Sequence, residues 1–293
     1  MRYGTLFVIL LVLVAGCAAP RGSTDSSVLP SPTLVPPTRS VTLPTPTLEP
    51  SLPSSTPQFH ERRLLGYSQG GRPIVAHRFG WGEAKLVLLG DIHGATEENT
   101  YRLMSEIAAY YERNPDWVSP QVTLWVIPTI NPDGLAHGTR FNSRGVDLNR
   151  NADTSEDPCP ENDWSPDTFD SDGPVPGGGG QHPFSEVEAR LLRDFAADAQ
   201  VVISYHSQGG MILAAGCGHN PSRELARLLA QATGYQESQW RAYPVTGSMV
   251  DYLAFRGIAA AEVELTNKSD IELERNLEGI EAVMEQIEEI TWP

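Results

Sequence analysis

The sequence predicts an α/β fold with a mostly parallel sheet, and three observations carry that expectation. Short apolar runs recur at 86–89, 122–127, 201–205 and 258–265, a length and composition that suit strands buried on both faces. Between them lie stretches with helical apolar spacing, and strand–helix–strand at this spacing indicates parallel crossover units. The strand-like runs also deliver His93, His206 and Glu264 at or near their carboxyl ends. That edge is where open α/β sheets place their chemistry.

The chain of 293 residues does not begin as a globular protein. Residues 1–16 have a positive head, an apolar core from Leu6 to Val14 and a small-residue end, the pattern of a secretory signal. The stretch is too short and wrongly flanked to span a bilayer. Cys17 follows Val14-Ala-Gly and resembles the lipobox cysteine of bacterial lipoproteins, so lipid modification of Cys17 is expected. Residues 17–58 are rich in Pro, Ser and Thr, cannot bury a core, and read as an extended tether. The rest, 59–293, suits one catalytic-sized domain. A formal net charge of −16 argues against nucleic acid and against lying on an anionic bilayer, leaving a lipid as the expected membrane contact. An exported protein, anchored at the surface or periplasmic face of a bacterial membrane, is the expectation.

In chain order, Tyr67 to Phe79 reads as a hairpin turning at Gly70-Gly71. Lys85 to Leu89 is a strand that breaks at Gly90 into a polar turn carrying His93 and Glu97, and a helix is expected from Glu97 to Tyr111. A second strand starts at Val122, and Asn131-Pro-Asp-Gly ends it sharply. From Asn151 to Pro183 the sequence is rich in Asp, Pro and Gly, a long solvated loop whose acids lack the spacing of a calcium loop. Ser185, with Glu188 three residues on, forms a capping box for a helix reaching Ala197. A strand from Val201 delivers His206. Pro221 to Thr233 and Gly247 to Phe255 are helical, Ile258 to Leu265 is a strand, and Ile271 to Ile290 is a closing amphipathic helix.

His93, Glu97 and His206 match a zinc site of two imidazoles and one carboxylate with a position left open for water. Such a site needs a further, unligated carboxylate to take a proton. Glu264 is that residue. Glu262 is assigned to the opposite face of the strand, so only one of the two acids is expected to serve. Between these elements runs Gly138-Thr-Arg140-Phe-Asn-Ser-Arg144-Gly-Val-Asp-Leu-Asn149-Arg150-Asn. Its guanidinium forks suit a carboxylate-recognising pocket, and an arginine near the metal can stabilise a developing oxyanion. In an exported protein Cys159 and Cys217 are expected to pair.

Taken together, Gly-x-x-His-Gly with Glu97, the Asp-Leu-Asn-Arg block, Ser-Tyr-His-Ser and Val-Glu-Leu-Thr resemble the zinc metallocarboxypeptidases of the carboxypeptidase A type, most nearly their short bacterial murein-peptide members. The resemblance implies a three-layer α/β/α fold with a mixed, mostly parallel sheet, and one Zn²⁺ held by His93, Glu97 and His206. It implies that Arg140 polarises the scissile carbonyl, and that Asn149 and Arg150 grip the terminal carboxylate of a peptide substrate. By the same resemblance Glu264 is expected to be the general base, Tyr243 matches the family's substrate-capping tyrosine, and Val250 falls near its specificity-setting position. A neutral Val250 leans against a preference for basic residues. The family usually spaces its first ligands His-x-x-Glu, whereas here Glu97 lies one residue further on, which requires the turn to bulge. Cell-wall peptides are one expected substrate class. A desuccinylase-type N-acyl amino acid deacylase and an inactive peptide-binding module are the alternative readings.

Overall fold

The computed structural model describes residues 60–291. The signal, Cys17 and the tether lie outside the described residues. Ten strands can be followed in chain order: β1 (His60–Tyr67), β2 (Pro73–Phe79), β3 (Ala84–Leu89), β4 (Val122–Ile127), β5 (Thr168–Asp170), β6 (Gly173–Val175), β7 (Val201–Ser207), β8 (Met211–Ala214), β9 (Gln236–Ser238) and β10 (Ala259–Leu265). The α-helices are α1 (Glu98–Arg113), α2 (Pro132–His137), α3 (Val187–Ala196), α4 (Asn220–Thr233), α5 (Met249–Phe255) and α6 (Leu273–Thr291).

Eight strands form one sheet in the order β1-β2-β4-β3-β7-β10-β8-β9. Its centre, β4-β3-β7-β10, is parallel, while β1 and β2 at one edge and β8 on the other side of β10 run antiparallel to their inner neighbours. The central strands are buried on both faces, and alternate residues serve separate cores. Leu86, Leu88, Ile203 and Val263 pack with α1, α4 and α6. Val87, Leu89, Val202 and Ala260 pack with α3 and α5. The three-layer α/β/α arrangement with a mixed, mostly parallel sheet is therefore present. On α1 the buried set Leu103, Met104, Ile107, Ala108 and Tyr111 follows the helical period. Each large aliphatic side chain there contributes roughly 2 kcal/mol of burial free energy.

Several local expectations are corrected. Glu97 does not open α1 but closes a 3₁₀ turn over Gly94–Glu97. Asn131-Pro-Asp-Gly does not merely end β4: the Asn131 Oδ1 accepts from the Gly134 amide and caps α2. The Ser185–Glu188 capping box does not form, because α3 starts one residue later with Glu186 at its N-cap. Glu188 instead accepts from the Gln69 amide at 2.8 Å, tying α3 to the β1–β2 turn. The long loop is not structureless, since β5 and β6 form a hairpin within it. Cys159 and Cys217 are disulfide-bonded, with Cα atoms 5.9 Å apart.

Candidate active site

The site is assembled at the carboxyl ends of β3, β7 and β10. After β3, Gly90 and Asp91 turn the chain and present His93, which is buried. Gly94 sits at φ +54°, and a Cβ there would lie 2.2 Å from the Thr139 carbonyl oxygen, so the following 3₁₀ turn closes only around glycine. That turn absorbs the extra residue between His93 and Glu97 and brings the carboxylate back beside the imidazole. Glu97 Oε2 accepts from the Ser207 amide at 3.1 Å and lies 3.2 Å from His206 Nδ1. One donor atom from each of His93, Glu97 and His206 falls within 4.8 Å of the other two. Two imidazoles and a carboxylate converging this closely, with all three buried, fit a zinc ion.

Asp147, to which the sequence reading gave no role, sits behind this set. Its Oδ1 is 3.2 Å from His93 Nδ1, and its Oδ2 accepts from Arg140 Nε at 2.8 Å. A carboxylate behind a ligating imidazole fixes its orientation, and here the same carboxylate also fixes the arginine. The Arg140 guanidinium reaches onward, Nη2 to 2.9 Å from His93 Nε2 and Nη1 to 3.5 Å from Glu97 Oε1. Asn149 and Arg150 occupy a second 3₁₀ turn, Leu148–Arg150, capped by Asp147. The Met249 amide donates to Asn149 Oδ1 at 3.0 Å, which turns the NH₂ end of that amide toward the cavity. Arg150 is buried, donates Nη1 to the Asn149 carbonyl at 2.7 Å, and leaves its Nε without a partner among the described residues.

Glu264 stands beside His206 in the parallel register of β10 and β7. Glu262 requires a correction. Residues two apart on a strand share a face, so Glu262 points to the same side as Glu264 and both line the cavity. The strand's other face carries Ala261, Val263 and Leu265 into the core. Tyr243 and Val250 line the same cavity, whose volume is about 1180 Å³. Every site residue expected from the sequence within 60–291 is thus brought to one cavity.

The electrostatics follow from burial and crowding. Burial, helped by the Arg140 charge, holds His93 below its ordinary value, so its ring is unprotonated at neutral pH. Burial opposes ionisation of Glu97, but His93, His206 and Arg140 outweigh it and bring the carboxyl down to about 2. For His206 burial is again opposed, here by Glu262, Glu97 and Glu264, which raise it to about 9. That proton is one a bound cation would displace. Burial raises Glu264 to about 7, with His206 offsetting part of the effect. A carboxylate poised there suits proton transfer at neutral pH.

Comparison with known proteins agrees with this geometry. The zinc carboxypeptidase family model matches residues 51–287. Carboxypeptidase B of Astacus astacus is 30% identical over 193 residues, which cover 54% of this chain and 57% of the relative. The chain therefore spans little more than half the length of that relative. Among solved structures, carboxypeptidase A of Helicoverpa armigera superposes with a TM-score of 0.61 at 18% identity, covering 79% of this chain and 69% of that one. Murein-tripeptide amidase MpaA of Escherichia coli O157 superposes with a TM-score of 0.54 at 21% identity, covering 79% of this chain and 92% of that one. At these identities the superpositions establish the fold.

Proposed function

The chain belongs to the zinc carboxypeptidase family, and from that premise we propose that it is a zinc-dependent metallocarboxypeptidase cleaving peptide bonds beside a free C-terminal carboxylate. The observation that carries the proposal is the convergence of His93, Glu97 and His206 within 4.8 Å, with Glu264 on the neighbouring strand and left out of that set. Zinc held by these three would supply a Lewis acid that polarises the scissile carbonyl and acidifies an attacking water.

The protein's own groups divide the remaining work. Arg150 and the free hydrogen of the Asn149 amide bind the substrate's terminal carboxylate, which sets the bond to be cut by its distance from the chain end. Arg140, held in place by Asp147, offers its guanidinium to the oxygen on which negative charge develops. Glu264 accepts a proton from the attacking water and returns it to the leaving amine. Tyr243, on the loop before α5, covers the bound substrate and narrows access of bulk water.

The test is zinc analysis and peptide hydrolysis on two variants. Glu97→Gln is expected to lose stoichiometric zinc together with activity. Glu264→Gln is expected to keep one zinc per chain while kcat falls by roughly 10²–10⁴. Full activity of Glu264→Gln would refute the assignment. Hydrolysis of acyl-amino acids with no peptide cleavage would favour the deacylase reading, and zinc and peptide binding without turnover would favour the binding module.

A further inference from the structure

We infer that Glu262 is a specificity-determining residue, and that the enzyme prefers a C-terminal residue whose side chain ends in a cation, such as lysine. This rests on the carboxypeptidase reading of the site and concerns its substrate class. Glu262 lies two residues before Glu264 on the same face of β10, about 7 Å further from the carboxyl edge of the sheet. A substrate held with its scissile carbonyl at the edge, and its terminal carboxylate on Asn149 and Arg150, directs its last side chain into this deeper part of the cavity.

Charge is the first argument. The Glu262 side chain is 15% exposed, and its Oε1 accepts from Asn149 Nδ2 at 3.0 Å. Its ion-pair neighbour among the described residues is His206, at 3.6 Å. Arg140, Arg150, Arg223 and Lys268 line the same cavity, yet none comes within ion-pairing distance of Glu262. The cavity therefore offers this carboxylate no arginine or lysine partner of its own. A cation arriving with the substrate supplies one only in the complex.

Shape is the second. In the β10–β8 register Leu213 stands directly opposite Glu262, and Leu213, Val250 and Ala215 give the cavity wall an apolar surface. An aliphatic stem ending in an ammonium fits such a wall, its methylenes on the leucine and valine and its head on the carboxylate. The arrangement also resolves a conflict within the site. Asn149 has two amide hydrogens; Glu262 takes one, and the substrate's terminal carboxylate takes the other. Two carboxylates on one amide repel each other, and an ammonium beside Glu262 offsets that repulsion, whereas an apolar side chain does not. The residue at position 250 is therefore not the source of charge discrimination, and a neutral Val250 is compatible with a basic preference.

The test uses the full-length zinc enzyme and blocked peptides that differ only in their last residue: lysine, its uncharged near-isostere norleucine, and glutamate. Wild-type kcat/KM is expected to favour lysine over norleucine at least tenfold, with glutamate poorest. In Glu262→Gln the lysine-to-norleucine ratio is expected to fall to within about threefold of unity, whatever happens to the absolute rates. Loss of a contact to Asn149 or His206 would slow both substrates alike and cancel in the ratio. Should that variant fail to fold, the wild-type ratio and the relative inhibition by free lysine and free norleucine remain decisive. Equal wild-type turnover of lysine and norleucine peptides, or an unchanged ratio in Glu262→Gln, overturns the inference and leaves the carboxypeptidase reading intact. No cleavage of any peptide by the zinc-loaded enzyme would instead sink the reading beneath it.

Discussion

Breaking the Cys159–Cys217 bridge should destabilise the domain by an amount set by the chain length it closes. The two cysteines are 58 residues apart in sequence. In the loop-entropy account a closure of this size restricts the unfolded chain by about 14 cal/mol/K, or about 4 kcal/mol at 25 °C. Real bridges deliver about 2–4 kcal/mol, so the Cys159→Ser/Cys217→Ser variant should lose that much. For a domain of this size the melting midpoint should fall by about 4–8 °C.

The loss should lie mainly in the unfolded state, because other bonds hold the native loop. Asp157 accepts from the Cys159 amide at 2.7 Å and from Asn162 Nδ2 at 3.1 Å, and Thr154 Oγ1 donates to the Asn162 carbonyl at 2.6 Å. Urea unfolding separates the two cases. A freed unfolded chain exposes more surface, so the denaturant slope should rise while the midpoint falls. A midpoint within error of the wild type would refute the entropic reasoning. A fall in midpoint with an unchanged slope would place the effect in the native loop instead. Zinc content and activity should be retained at temperatures well below the midpoint, since neither cysteine belongs to the ligand set.

Asp251 provides a pH-dependent prediction. Burial raises its carboxyl from 3.8 to about 6, against the Gly216 amide, which donates to it at 2.6 Å. An acid whose folded value is raised is favoured in its neutral form, so its penalty is absent below about pH 4 and complete above about pH 6, where it amounts to about 3 kcal/mol. Asp251→Asn keeps an oxygen acceptor for the Gly216 amide, and should therefore be more stable than the wild type at pH 7 by up to that amount, with the advantage vanishing near pH 4. A stability difference that does not change with pH, measured by urea titration, would refute the cause assigned. Gly94→Ala should destabilise by about 3 kcal/mol, combining the left-handed conformation with the close approach to the Thr139 carbonyl. It should also weaken zinc binding, read directly by chelator competition, and retention of wild-type zinc affinity would show that the turn does not position Glu97.

What could be read from the sequence divides along a physical line. The central strands β3, β4, β7 and β10 were legible because burial on both faces leaves short, mostly apolar runs, broken in β7 and β10 where His206, Glu262 and Glu264 face the cavity, and α1, α4 and α6 because burial on one face leaves a helical stripe. Strand β9 had no such trace, since Gln236, Glu237 and Ser238 are all exposed and owe their pairing to β8. Strand β8 did carry a signal, the apolar Met211-Ile-Leu-Ala after Gly209-Gly210, but four residues are too few to separate strand from loop by pattern. The trio proposed to hold zinc was legible as chemistry, two imidazoles and an acid at or near strand ends. The way Glu97 reaches it was not, because a one-residue insertion can be absorbed in many ways and only the positive φ at Gly94 and the contact with Thr139 select the 3₁₀ turn. Asp147 was hidden for a related reason: an acid behind a ligand is recognised by what it touches, and the partners of Asp147 lie 54 residues back at His93 and seven back at Arg140. Glu262 is the sharpest case. The two-residue strand period places it beside Glu264, and applying that period correctly puts two acids in one cavity without any coordinates. What the period leaves out is that Asn149, remote in sequence and from a separate 3₁₀ turn, spends half of its amide on that second acid. Only that contact turns a spare carboxylate into part of the proposed pocket for the substrate's last side chain.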